Sequence, residues 1–173
     1  WGLLKEFYAS RRYRPIWVNV LGPKPKALQW RHFLQTAEQE GLERLRYHPT
    51  AIAQHWQSED SWQLARLELL LTDAMLRYSV DVSHGRLPAR EVDPLWAIPT
   101  PKADALALLR STLAKDDFNA AVQELAPPHL GYQRLRKALA QYRQLARQGG
   151  WPPLAAGKLL EYGSYDPEVS FLR

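Results

Sequence analysis

SWQLARLELLLTDAMLRYSVDVS, running from Ser61 to Ser83, is the stretch on which the fold turns. At about 100° per residue, Leu64, Leu67, Leu71, Ala74, Met75, Tyr78 and Val82 fall in one broad stripe. Trp62, Leu69, Leu76 and Val80 form a second stripe on roughly the opposite side. A helix that is apolar on two sides is sandwiched between neighbours, so this segment reads as a long central helix. Ser58 to Asp60 offer its N-terminal capping and Gly85 its termination.

The composition agrees with a helical surround. The 173 residues make one domain large enough to bury a core. They hold 28 Leu and 21 Ala against only 15 Val, Ile and Thr together, a balance of strong helix formers that disfavours sheets. Seven Trp, eight Tyr and four Phe are too many for a chain that packs nothing. Working outward, Leu3 to Tyr13 reads as a helix stopped by Pro15, and Trp17 to Pro25 as a loop. Lys26 to Glu40 reads as a helix with Leu28, Phe33, Leu34 and Ala37 inward, ended by Gly41. Pro49 opens a short helix to Trp56. Gly85 to Pro101 is irregular, and its Leu87, Val92, Leu95, Trp96 and Ile98 are expected to cover the core as a packed loop. Helices follow at Ala103–Ala114, Phe118–Leu125 and Gly131–Gln148, the last closed by Gly149-Gly150. Its core face is expected to be Leu135, Ala138, Leu139, Tyr142, Leu145 and Ala146. Beyond Trp151-Pro152-Pro153 the chain reads as extended, with a further short helix starting at Asp166-Pro167. The expected fold is all-α: a compact bundle of six or seven helices around the central one, with proline-rich connecting loops. Residues 1–160 form the helical domain, and 161–173 a linker or the start of another module.

Charge narrows the functional reading. Lys and Arg number 23 against 18 Asp and Glu, a net +5. Between Leu125 and Leu160 stand Arg134, Arg136, Lys137, Arg143, Arg147 and Lys158 with no acid, so the excess is local. On the last helix Arg136, Arg143 and Arg147 project from one flank as a row about 16 Å long, which Tyr132 extends by a turn. Such a row can grip carboxylates or phosphates. It can equally be a solvated edge whose arginine stems cover core aromatics. On the central helix Asp73, Arg77 and Asp81 are spaced i, i+4, which suits a structural ion-pair ladder with both carboxylates ionised. Trp96 and Trp151 lie in proline-flanked loops, where they clamp joints or stack on sugar rings.

Other chemistries find no footing. There is no cysteine, hence no disulfide, thiolate metal site or thiol nucleophile. The five histidines are scattered without the spacing of a helical metal site, and no cofactor motif is present. A +5 excess without a reading motif is weak ground for nucleic acid. No segment reaches the roughly 18 to 20 apolar residues of a membrane span. The chain opens with Trp-Gly and not Met, so it reads as an excised piece or a mature product.

Four blocks together resemble one family. They are Phe7-Tyr8 with Arg11, Tyr13, Arg14, Pro15 and Trp17; Leu69 to Ala74 with Leu76-Arg77-Tyr78, His84-Gly85-Arg86, Val92-Asp93-Pro94 and Trp96; Leu125 to His129 with Gly131-Tyr132, Arg134-Leu135-Arg136, Ala138-Leu139 and Gly149 to Pro152; and Asp166 to Val169 with Leu172-Arg173. In this order they look like the N-terminal scaffold domain of the YcbB-type bacterial L,D-transpeptidases, which cross-link peptidoglycan. Leu130 stands where that family often has proline. The family uses a cysteine in an SxGC block on a separate catalytic domain, and neither is present in this chain. The resemblance therefore implies a non-catalytic, periplasmic scaffold that positions peptidoglycan-binding and catalytic domains. The alternative is a helical binding module whose basic helix contacts anionic peptidoglycan or an acidic partner protein.

Overall fold

The computed structural model describes residues 1–98, 101–151 and 163. The expected domain boundary at 160, the helix from Asp166, the fourth block and Lys158 lie outside the described residues. Within them the chain is all-α apart from one hairpin. Eight α-helices run in order: α1 Gly2–Ser10, α2 Pro25–Thr36, α3 Pro49–His55, α4 Ser61–His84, α5 Ala89–Val92, α6 Ala105–Ala114, α7 Phe118–Gln123 and α8 Leu130–Arg147. The hairpin, β1 Val18–Asn19 with β2 Gly22–Pro23, stands where a loop was expected. Two 3-10 turns, Ala37–Glu40 and Arg44–Tyr47, join α2 to α3.

Local chemistry sets most of these boundaries. Asp60, Asp104 and Asp117 each accept the backbone N–H three residues on, at 2.9 to 3.0 Å, capping α4, α6 and α7. Pro25 and Pro49 occupy first-turn positions, where the missing N–H costs nothing. Gly41 ends the first 3-10 turn at φ 77°, in the left-handed region.

α4 is central, as its two stripes predict. It packs against α1, α3, α6, β1 and the second 3-10 turn, and buries Leu64, Leu67, Leu71, Ala74, Met75, Leu76, Tyr78 and Val82. Only at its start does the second stripe fail, for Trp62 is 85% exposed. Aromatic rings bridge α4 to its surroundings. Trp17 stacks with Trp30 at 6.5 Å, Trp30 meets Tyr78 edge-on at 5.1 Å, and Tyr78 meets Tyr47 at 5.7 Å.

Three packing expectations are corrected. In α2 the buried face is Ala27, Trp30 and Leu34, while Leu28 is exposed and Phe33 half-buried. Trp30 turns the helix, because its indole N–H donates to the Leu71 carbonyl at 3.0 Å. The segment between α4 and α6 does not cover the core: Leu87, Val92, Leu95, Trp96 and Ile98 are all exposed. In α8 most of the expected core face is turned outward, and of its six residues Ala138 and Leu139 are half-buried. Leu135 is 71% and Tyr142 59% exposed, and the half-buried positions include Tyr132, Arg136, Leu139 and Arg143. Tyr132, Arg136 and Arg143, with only the Ala138–Leu139 edge of the apolar stripe, meet the body of the domain.

Candidate functional site

Three polar nodes hold the helices together, and residues of the first three sequence blocks meet in them. The first is Glu68, on α4 and only 4% exposed. One carboxylate oxygen accepts from the Tyr8 hydroxyl at 2.7 Å and the Ile16 N–H at 2.6 Å. The other accepts from the N–H groups of Trp17 at 2.7 Å and Val18 at 3.1 Å. Thr72 lies 2.6 Å from the Tyr8 hydroxyl and accepts the Trp17 indole N–H at 2.9 Å. Four hydrogen bonds thus satisfy a buried charge that has no salt bridge among the described residues. Burial, and then the Glu68 charge, push the Tyr8 phenol far above its ordinary pKa, so it stays a donor.

The second node is Asp73. It accepts from Arg77 Nε at 2.6 Å and contacts His48 Nε2 at 2.7 Å. Burial favours the neutral carboxyl, but the hydrogen bonds and charges of Arg77 and His48 outweigh it and hold the pKa below the usual carboxylate range. The expected second rung, Arg77 to Asp81, does not form. Asp81 turns inward to accept the Tyr47 hydroxyl at 2.8 Å, with Arg46 at 3.5 Å. The ladder therefore pins the joint between the second 3-10 turn and α3, and not the proline-rich loop.

The third node seats α8. Glu40, at the end of the first 3-10 turn, accepts the Tyr132 hydroxyl at 2.7 Å and pairs with Arg136 at 2.8 Å. Burial, and then the bond to Glu40, raise the Tyr132 phenol well above its ordinary value. Arg143 donates to the Glu38 carbonyl on the same turn. So Tyr132, Arg136 and Arg143 are brought together on the first 3-10 turn. Arg147, Lys137 and Arg143 line a polar groove of about 710 Å³ between α8 and the end of α2. Trp151 leaves α8 and packs on Tyr142, ring centroids 5.7 Å apart. Trp96 sits apart in the loop after α5, its N–H on the Asp93 carbonyl at 3.0 Å.

A second concavity, about 910 Å³, opens between α1, the hairpin and the first half of α4. Leu4, Val18, Leu64 and Leu69 wall it, and Lys5 stands among its lining residues. Among the described residues no three His, Asp or Glu side chains are grouped to hold a metal ion, and no helix is long and apolar enough to cross a membrane. The Glu68 node was not read from the sequence. Its one signal is an acid inside the apolar run Leu67 to Leu71 of α4.

A family model described as the Scaffold domain matches residues 2–139, most of the chain and every helix down to the middle of α8. The chain belongs to that scaffold-domain family. No curated protein matches it, and no solved structure does. The matched span of the scaffold domain contains all three nodes except Arg143. The side chains of these nodes fasten helix to helix.

Proposed function

We propose that this scaffold domain is the non-catalytic framework of a periplasmic L,D-transpeptidase that cross-links peptidoglycan, where it positions the peptidoglycan-binding and catalytic domains. One observation carries the reading. Six of the residues by which the chain resembles that family are spent on architecture: Tyr8 and Trp17 meet Thr72 at Glu68, Asp73 meets His48, and Tyr132 and Arg136 meet Glu40. Acyl transfer needs an activated nucleophile and donors aimed at an oxyanion, and this chain has no cysteine to serve as the first. The apolar side chains left exposed at Leu87, Val92, Leu95 and Ile98 are the kind of surface that a neighbouring domain covers. The test is reconstitution. The purified scaffold domain should bind the separately expressed peptidoglycan-binding and catalytic domains while showing no transferase activity. Absence of association by calorimetry, with all parts folded, would overturn the proposal.

A second reading draws on the α8 groove. There Lys137, Arg143 and Arg147 have no carboxylate partner among the described residues. These three cations suit the free carboxylates of peptidoglycan stem peptides. Co-sedimentation with purified sacculi should be strong at low salt and weak at high salt. It should fall when Lys137, Arg143 and Arg147 are replaced by glutamine. Absence of binding at both salt levels would remove this reading and leave the first intact.

A further inference from the structure

The tip of the hairpin is apolar, where two-residue turns ordinarily carry Asn, Asp or Gly. Between β1 and β2 only Val20 and Leu21 make the turn, and they are 89% and 92% exposed. Packing within the domain gains nothing from either side chain. Yet the tip is firmly held. The Leu21 N–H donates to the Asn19 side-chain oxygen at 2.9 Å, and at the base Glu68 accepts the N–H groups of Ile16, Trp17 and Val18. In the turn before it, Arg12 and Tyr13 both adopt left-handed φ, 53° and 56°, a conformation that costs energy in residues other than glycine. That turn leaves Tyr13 69% exposed, and Tyr13, Val20 and Lys5 line one concavity.

Charge points to what this face meets. Between Phe7 and Ala37 stand six Lys and Arg and no acid. Three of them are engaged within the domain: Arg11 lies over Phe7, Lys26 over Phe118 and Arg31 over Trp56. The other three are Arg12, Arg14 and Lys24. With Lys5, they have no carboxylate partner among the described residues. Arg12 and Arg14 are exposed on either side of Tyr13, and Lys24 sets its ammonium on the carbonyl of Pro15, which lines the same concavity, at 3.0 Å. The neighbouring acids are mostly spent. Glu6 is drawn to Arg110 at 3.6 Å, and both oxygens of Glu68 are taken by donors. Glu59 and Asp60 precede Ser61 on the α4 side, where Asp60 caps the helix.

We propose that this face is a peripheral contact for an anionic phospholipid bilayer. Val20 and Leu21 enter the acyl boundary, Tyr13 lies at headgroup level, and Lys5, Arg12, Arg14 and Lys24 meet lipid phosphates. An apolar tip with cations at its base is complementary to a surface that is anionic outside and apolar within. Fluid acyl chains also accept such a projection without a shaped pocket. The contact does not depend on which enzyme the scaffold serves.

Because the chain has no cysteine, one introduced residue carries a label alone. In the full 173-residue chain, Leu21→Cys bearing a polarity-sensitive fluorophore should shift to the blue on phosphatidylglycerol vesicles. Phosphatidylcholine vesicles should give little shift, and the same label on Leu135→Cys in α8 should give none with either lipid. In flotation assays Leu21→Glu should weaken binding about tenfold or more. Replacing Lys5, Arg12 and Arg14 by glutamine should weaken it on the order of a hundredfold. All four positions are exposed, so both proteins should melt like the unsubstituted chain. Absence of binding to phosphatidylglycerol vesicles would overturn the proposal. So would equal binding to the two lipids, or a blue shift at Leu135 with none at Leu21. Vesicles ignored while Leu21→Glu weakens association with another domain would assign the tip to a protein contact, and the proposal would fail.

Discussion

Glu68 puts a negative charge inside the core with no cation partner among the described residues, which is tolerable only because four donors converge on it. Three of those donors are the consecutive backbone N–H groups of Ile16, Trp17 and Val18, so the carboxylate fixes the path of the chain into the hairpin. Glu68→Gln exchanges an acceptor for a donor facing those N–H groups. It should cost about 2–3 kcal/mol, read as a lower urea midpoint at unchanged slope. A loss below half a kilocalorie would show that the node is dispensable. Asp73 behaves differently because it is partly exposed and has the Arg77 guanidinium beside it. Its pKa is held down in the folded state, so its contribution is present above the unfolded carboxyl value near 3.9 and is lost as pH falls through the folded value. Asp73→Asn should therefore lower stability at neutral pH by about 1 kcal/mol, a figure already discounted for solvent screening. Thermal melts of the two proteins should converge toward pH 2. A gap that stays constant with pH would rule out the ionised pairing.

Among the helices longer than one turn α8 is the most weakly held, for no residue in it is fully buried and its seat is the first 3-10 turn. Glu40 supplies the anchor, taking Tyr132 and Arg136 together. Glu40→Ala should raise amide hydrogen exchange in α8 by roughly tenfold, the equivalent of ~1.4 kcal/mol, while α4 and α6 keep their protection. Uniform loss of protection across all helices would mean that α8 is part of the cooperative core. Gly41 serves the same seat. A Cβ there would meet Leu139 Cδ2 at 3.7 Å, which is ordinary contact, so the cost of Gly41→Ala is conformational and not steric. It should be about 1 kcal/mol, measured by thermal denaturation, because alanine resists φ 77°.

For the whole molecule, the exposed apolar side chains are the informative surface. Val92 at the end of α5 and Leu95 in the loop after it contribute nothing to the buried core. Leu95→Glu should leave the melting temperature of the isolated chain unchanged, within about half a kilocalorie, as surface substitutions do. The same substitution should weaken association with a domain that docks on that loop. Equal affinity for the substituted and unsubstituted chains would move the docking face elsewhere, to the cleft beside the hairpin or to α8.

The sequence by itself determined most of the helices and many of their ends. It did not determine the short α5, the hairpin, the two 3-10 turns or the early stops of α1 at Ser10 and α2 at Thr36. Leu and Ala periodicity, capping aspartates, first-turn prolines and terminal glycines act within a few residues of one another. The centrality of α4 was legible for the same reason: two apolar stripes on one helix demand two neighbours. Which way each helix faces was decided only in the tertiary structure. The stripe of α8 announces an apolar face but not a partner for it, and the partner that won was Glu40, about 90 residues away, whose bonds to Tyr132 and Arg136 turn the stripe to solvent. The loop from Leu87 to Ile98 misled in the same way, its hydrophobicity implying burial that no local pattern can supply. Glu68 stayed hidden among leucines, because its donors come from a segment 50 residues upstream and only the fold brings them within reach.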